Sequence, residues 1–296
     1  MRLRCKNWLA FQTAETVSIV YGRFLMYQKD IKDGYSNYRT TAIALAALSF
    51  FVFGSCTSSA NTAEHTDSNN DIAAIIKSAE NGDAEAQFDL ALSYANGDGI
   101  KQDDTEAIRW YRKSADQGFA PAQLNLGNRY RTGQGIPQDA RSAVLWYRRA
   151  AEQGLREAEY NLAVSYRKGI GVTQSSAEAI RWYKAAADQG HPQAQGTLGV
   201  MYLNGEGIAA DYKEAARWLT MAAKQNDIQA QYFLGNMYIT GSGVARDPSR
   251  AYFWLSVAYA QGAEQAAPQI KQLERQLSKQ QLASVNNELE ELGLKN

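Results

Sequence analysis

Only two cysteines, Cys5 and Cys56, occur in the 296 residues. A disulfide framework or a tetrahedral zinc site built on cysteine is therefore excluded, and the fold must be held by packing. Proline is scarce at 5 residues, so helices meet few breakers. Histidine is scarcer still: His65 and His191 are the whole supply, and no Ser–His–Asp set can be drawn without forcing distant loops together. An excess of either charge is also lacking, since 31 basic residues meet 31 acidic ones. That balance argues against a nucleic-acid surface, which needs surplus cations to displace counterions from phosphates. What is plentiful is Ala, Gln, Tyr and Trp, a mix suited to helices packed closely through small residues.

The N-terminal part reads as an address. Ala42 to Phe53 is a run of secretory-signal length, apolar but for Ser49, followed by Gly54-Ser55-Cys56. The segment Phe53-Gly54-Ser55-Cys56 resembles a bacterial lipobox, in which the Cys is lipid-modified after cleavage, although Phe53 stands where Leu is usual. By the same resemblance Thr57, not Asp, after the Cys implies the outer membrane rather than the inner. The expected division is residues 1–39 as n-region or over-extended start, with Met26 as an alternative start, then 40–56 as the signal segment. Residues 57–70 are polar and lack a helical period, as a flexible tether would. An uncleaved signal anchor in the inner membrane is the alternative, though the run is shorter than the roughly 20 apolar residues that span a bilayer.

The remainder repeats. Trp recurs at 110, 146, 182, 218 and 254, Tyr at 94, 130, 166, 202 and 238, and Leu at 90, 126, 162, 198 and 234. The step is 36 residues throughout, with no insertion or deletion. Each copy reads as two helices. The first carries A-Q-x-x-L-x-x-x-Y, whose apolar positions share one helical face. A Gly pair, such as Gly133 and Gly135, stops it, and an aliphatic residue follows (Ile100, Ile136, Val172, Ile208, Val244) to plug the loop into the core. The second helix opens at Asp103, Asp139, Ser175, Asp211 and Asp247, all good N-caps. Glu106, Glu178 and Glu214 stand three residues on, as in a capping box. The second helix then runs A-x-x-W-Y-x-x-A-A and ends at Gly118, Gly154, Gly190, Asn226 and Gly262. Asn226 is the expected substitute where a left-handed backbone is needed.

The pattern A-x-A-Q-x-x-L-G-x-x-Y-x-x-G-x-G-(V/I)-x-x-D-x-x-x-A-x-x-W-Y-x-x-A-A-x-Q-G resembles the Sel-one-like repeat family, a relative of the tetratricopeptide repeats. Ala120 to Gly154 matches it almost position for position. The resemblance implies an all-α, right-handed α/α solenoid superhelix. Its five repeats would be 84–118, 119–154, 155–190, 191–226 and 227–262, with a capping helix at 71–83 and capping helices at 263–296. It implies an adaptor that binds protein or peptide partners, with no enzymatic activity and no cofactor or metal. One cysteine-rich branch binds β-lactams, but its disulfides have no counterpart here. The alternatives are an enzyme of β-lactamase or cell-wall-hydrolase type, or an intracellular signalling adaptor.

By analogy with tetratricopeptide arrays, the inner groove is lined by first-helix residues off the packed stripe. The candidates are Phe88, Asn128, Arg131, Tyr160, Arg167, Lys168, Tyr232 and Asn236. Rings would cover apolar side chains, amides would bond an extended backbone, and cations would meet an acidic or C-terminal peptide. The membrane would be reached only through lipidated Cys56 or a signal anchor. Tyr111, Tyr147 and Tyr183 are expected to be partly exposed, with hydroxyls reaching solvent or a partner. His191 is expected to be an exposed loop residue. Gln87, Gln123, Glu159, Gln195 and Gln231 recur too regularly for a site and are expected to bond between repeats.

Overall fold

Why the second helices start where they do is visible at each N-cap. Asp103, Asp139, Ser175, Asp211 and Asp247 are extended, and each side chain accepts an amide of the first turn. Their own backbone amides donate to the carbonyls of Tyr94, Tyr130, Tyr166, Tyr202 and Tyr238 at 2.9–3.0 Å. The loop is thus closed from both sides. That closure also corrects the expected capping boxes. With the cap amide already bonded to a tyrosine carbonyl, Glu106, Glu178 and Glu214 turn outward and pair with Arg109, Arg181 and Arg217.

The structure is a computed structural model and describes residues 63–294. The expected signal segment and Cys56 lie outside the described residues. Thirteen α-helices are present among the described residues, and no strand. α1 (Ala63–Glu80) precedes five helix pairs: α2 (Ala84–Asn96) with α3 (Asp104–Asp116), α4 (Ala120–Thr132) with α5 (Ala140–Ala151), α6 (Arg156–Lys168) with α7 (Ser176–Asp188), α8 (Pro192–Asn204) with α9 (Tyr212–Lys224), and α10 (Ile228–Thr240) with α11 (Pro248–Ala260). A short 3₁₀ turn (Glu264–Ala266), α12 (Ala267–Gln276) and α13 (Lys279–Glu291) close the array. α1 begins at Ala63 rather than Asp71, so the second half of the expected 57–70 tether is helical. Extending a helix that is already packed costs far less than nucleating one.

Each helix packs on its neighbours in sequence, first helix on second and second on the next first. That nearest-neighbour pattern defines a solenoid. The core is a row of packed clusters of small and large residues, bridged by the half-buried Tyr130, Tyr202 and Tyr238: Leu90, Leu126, Leu162, Leu198 and Leu234 are fully buried, and so are the facing alanines. Trp110, Trp146, Trp182 and Trp218 are buried as well. Each carries an arginine guanidinium over its ring, Arg217 lying 4.0 Å from the Trp218 centroid. At the carboxyl end Ser278 opens α13 in a complete capping box with Gln281, and Val285 and Leu289 bury the inner face of that helix.

The two glycines of each loop do different work. Gly169, like the first glycine of every copy, is the left-handed C-terminal stop of the first helix. Gly171 instead lies against the backbone of the preceding second helix, where a Cβ would run into the Ala140 carbonyl. The pair is therefore half helix stop and half contact between repeats.

Candidate functional site

The first helices carry most of the residues expected to bind, and the structure shows how each is held. Asn128 accepts from the Tyr147 hydroxyl at 2.8 Å, and Arg131 Nε donates to the same hydroxyl at 3.2 Å. Arg167 makes two bonds to Glu206, at 2.8 and 2.9 Å. Asn236 donates to the Tyr232 carbonyl one turn back, and the Tyr232 hydroxyl accepts from Gln269 of α12. Phe88 packs edge-on against Phe119, centroids 5.4 Å apart. Lys168 is exposed at the end of α6. Much of the expected polar display is thus engaged inside the protein.

The tyrosine expectation is corrected. Tyr111, Tyr147 and Tyr183 are 2%, 1% and 2% exposed. A buried phenol must still place its hydroxyl, and here it reaches the first-helix face and meets an arginine: Arg129, Arg131 and Arg167 respectively. Burial pushes all three phenols up, Tyr183 to about 12, with the adjacent guanidinium pulling the other way. His191 is corrected as well. It is buried at the N-cap of α8, where Nδ1 accepts the Ala194 amide, and its ring stacks on Tyr160 with centroids 4.5 Å apart. Desolvation holds its pKa below the usual imidazole value. The position carries Phe119 and Leu155 in the preceding copies, so it belongs to a packed seam that a ring fills well.

Between α6, α8 and α10 lies a cavity of about 310 Å³. Tyr160 and Arg167 line one side, Thr197 and Val200 the middle, and Asp227 and Phe233 the other. Of the expected candidates the structure brings only Tyr160 and Arg167 to this cavity. Its origin is a departure from the repeat plan. The position filled by Phe88, Leu124, Tyr160 and Tyr232 in four copies is Gly196 in the fourth. The residue facing it, Phe119, Leu155 and His191 in the earlier interfaces, is Asp227. A Cβ on Gly196 would stand 3.2 Å from Asp227 Oδ2. Where two copies pack ring on ring, this one leaves a hole with a carboxylate in it. Neither residue was among the sequence candidates, although comparing the five copies at these two positions exposes both.

Asp227 caps α10 through Oδ1, which accepts the Ala230 amide at 2.8 Å. Burial raises the pKa of Tyr160 across the cavity, with the Asp227 charge adding to it and Arg167 opposing. The charged residues that line the space are Asp227 and Arg167; Arg167 is paired with Glu206, whereas Asp227 has no ion-pair partner among the described residues. Among the described residues no group of three or more His, Cys, Asp or Glu could hold a metal ion, and no helix is long and apolar enough to cross a membrane.

Five registered helix pairs stacked through nearest neighbours define an α-solenoid of the helical-repeat class. The Sel1 repeat pattern matches residues 84–119, 120–155, 156–191, 192–227 and 228–262, and the chain belongs to the Sel1 repeat family. Sel1 repeat proteins are generally protein-interaction scaffolds, and the fold is generally non-catalytic. The chain is 37% identical to a protective antigen of uropathogenic Escherichia coli strains that displays an SLR fold, with a TM-score of 0.65 over 67% of this chain and 43% of that one. The chain therefore spans less than half the length of that structure. A Sel1 repeat protein from Oxalobacter formigenes is 36% identical, with a TM-score of 0.59 over 62% of this chain and 75% of its own. No curated protein matches the chain.

Proposed function

We propose that this protein is a non-enzymatic scaffold of the bacterial cell envelope that binds an extended segment of a partner protein along the face of its first helices. The observation that carries the reading is the cavity between α6, α8 and α10. It opens on the first-helix face, at about 310 Å³ lies near the lower end of the size range for ligand sites, and combines two aromatic walls with fixed charge. Lys168 and Arg131, both exposed, supply the cations for an acidic or C-terminal peptide. The bonds between Arg167 and Glu206 would have to be exchanged before Arg167 could join them. Export and tethering through Cys56, with the outer membrane as destination, rest on the lipobox-like segment before it.

Site-specific photo-crosslinking tests the binding face. A photoreactive residue at Thr197, on the cavity, is compared with one at Leu145, exposed on the second helix α5. A discrete protein adduct from Thr197 alone supports the reading. The same adducts from both positions, or from Leu145 alone, would place the partner on another face. Labelling with a palmitate analogue, with and without Cys56→Ala, tests the tether separately: label that survives the substitution rules Cys56 out.

A further inference from the structure

The cavity at Gly196 is where the solenoid omits one of its own side chains. In the first and third copies the equivalent residue, Phe88 or Tyr160, fills this position and packs against the first residue of the next copy. In the fourth it is absent, and the residue it would have covered is acidic. A partner that inserts one side chain here completes the packing seam and meets a carboxylate at the same time.

We propose that the Gly196 cavity is an anchor site for an arginine side chain of the bound partner, the guanidinium pairing with Asp227 and lying between Tyr160 and Phe233. This deepens the scaffold reading and rests on it. Three observations converge on a flat cation. The rings of Tyr160 and Phe233 are in the walls, and a guanidinium packs on aromatic rings where a compact ammonium does so less well. The neighbouring seam already holds a flat, stacked ring pair, Tyr160 on His191 at 16°, so a planar group matches its slot. The charge is complementary as well. Arg167 is occupied by Glu206 through both carboxylate oxygens, while among the described residues Asp227 accepts only the Ala230 amide, on Oδ1. Oδ2 is the atom that faces the space left by Gly196. A carboxylate and a guanidinium pair there through charge-assisted bonds that are stronger and more directional than neutral ones.

The test selects a random peptide library displayed on phage against the full chain in detergent. Recovered peptides are synthesised with each arginine in turn replaced by citrulline, which keeps the shape but not the charge. Two variants of the protein are compared. Gly196→Leu restores the residue type of the second copy, Leu124, and fills the cavity. Asp227→Asn keeps the helix cap, because its carbonyl still accepts the Ala230 amide, and removes the charge. The expected result is a shared arginine whose citrulline replacement weakens binding about tenfold or more. Gly196→Leu should lose binding to a similar degree, and on Asp227→Asn the difference between arginine and citrulline should vanish. Peptides that share no basic residue, that share lysine instead, or that bind both variants as tightly as the parent overturn the anchor while leaving the scaffold reading intact. Recovery of no peptide at all would overturn both.

Discussion

Gln189 donates its side-chain amide to Glu159 Oε2 at 2.8 Å, the one charged rung in a ladder of amides that joins the two helices within each repeat. Everywhere else a glutamine stands in place of Glu159. Gln87, Gln123, Gln195 and Gln231 each accept from a glutamine thirty residues on. Each also donates to an alanine carbonyl eight residues back. An ionised Glu159 can do the first and not the second, since a carboxylate has no proton to give to Ala151.

Replacing Glu159 by Gln should therefore stabilise the protein at neutral pH, by about 1 kcal/mol for one recovered buried hydrogen bond. The gain should depend on pH. Burial raises the Glu159 pKa above the ordinary value, with Glu157 adding to it and Gln189 opposing. An acid whose folded pKa is raised destabilises the fold once pH passes its unfolded pKa, because the unfolded chain then releases the proton more readily. The advantage of Glu159→Gln should shrink as pH falls through the carboxylate range and be smallest where both states are protonated. Urea denaturation at pH 7 and pH 3.5 measures it, and an equal difference at both would show that the charge is not the cause.

Gly171→Ala should cost far more than Gly154→Ala. Both residues have positive φ, at 72° and 82°, so each substitution carries the left-handed penalty of about 1 kcal/mol. A Cβ at position 154 meets nothing within 4 Å, whereas at 171 it enters the Ala140 carbonyl. The repeat interface must then open, and a total loss of about 3 kcal/mol or more is expected from overpacking added to strain. Thermal or urea unfolding of the two variants side by side would refute the inter-repeat role of Gly171 if their midpoints coincided.

The helical fold was legible because nothing interrupts the 36-residue register: Trp, Tyr, Leu and Gly each mark the same phase five times. The site was less so. Pattern reading ranks a position by what recurs, and the cavity arises at Gly196 and Asp227, where recurrence fails. Asn128 and Arg131 were legible as first-helix surface residues but not as partners of a buried phenol, because the Tyr147 hydroxyl reaches them from another helix. The same limit applies to His191. Its cap of the Ala194 amide is local, but its stack on Tyr160 comes from another helix, which spacing along the chain does not reveal.

Acid should weaken the fold through His191. Its pKa is lowered by desolvation, opposed by Glu157 and assisted by Arg156, so the unfolded chain takes up a proton at a pH where the folded one does not. Stability should begin to fall as pH drops through the ordinary imidazole value of 6.5 and keep falling until the folded group is also protonated. Protonation would also cost the Nδ1 acceptor that caps α8. His191→Asn keeps a capping side chain and removes this component, at the expense of the stack on Tyr160. Proton NMR of the imidazole should place its midpoint below 6.5; a midpoint at or above that value would contradict the buried, uncharged state.

Asn128→Ala should lower stability by about 1–2 kcal/mol, since it takes the acceptor from a hydroxyl on a ring that is 1% exposed. The Arg131 bond cannot replace it, because a guanidinium only donates. Tyr147→Phe removes the donor itself, so the double variant should cost less than the sum of the two single ones, and the shortfall measures the coupling. Lys168→Ala, at an exposed position, should leave the unfolding midpoint unchanged. Strict additivity of Asn128→Ala and Tyr147→Phe in equilibrium unfolding would sink the argument. If the coupling is found, loss of partner binding on changing Asn128 reports a distorted helix pair as much as a lost contact. Substitutions at Lys168 and Thr197 are then the ones that isolate the binding face.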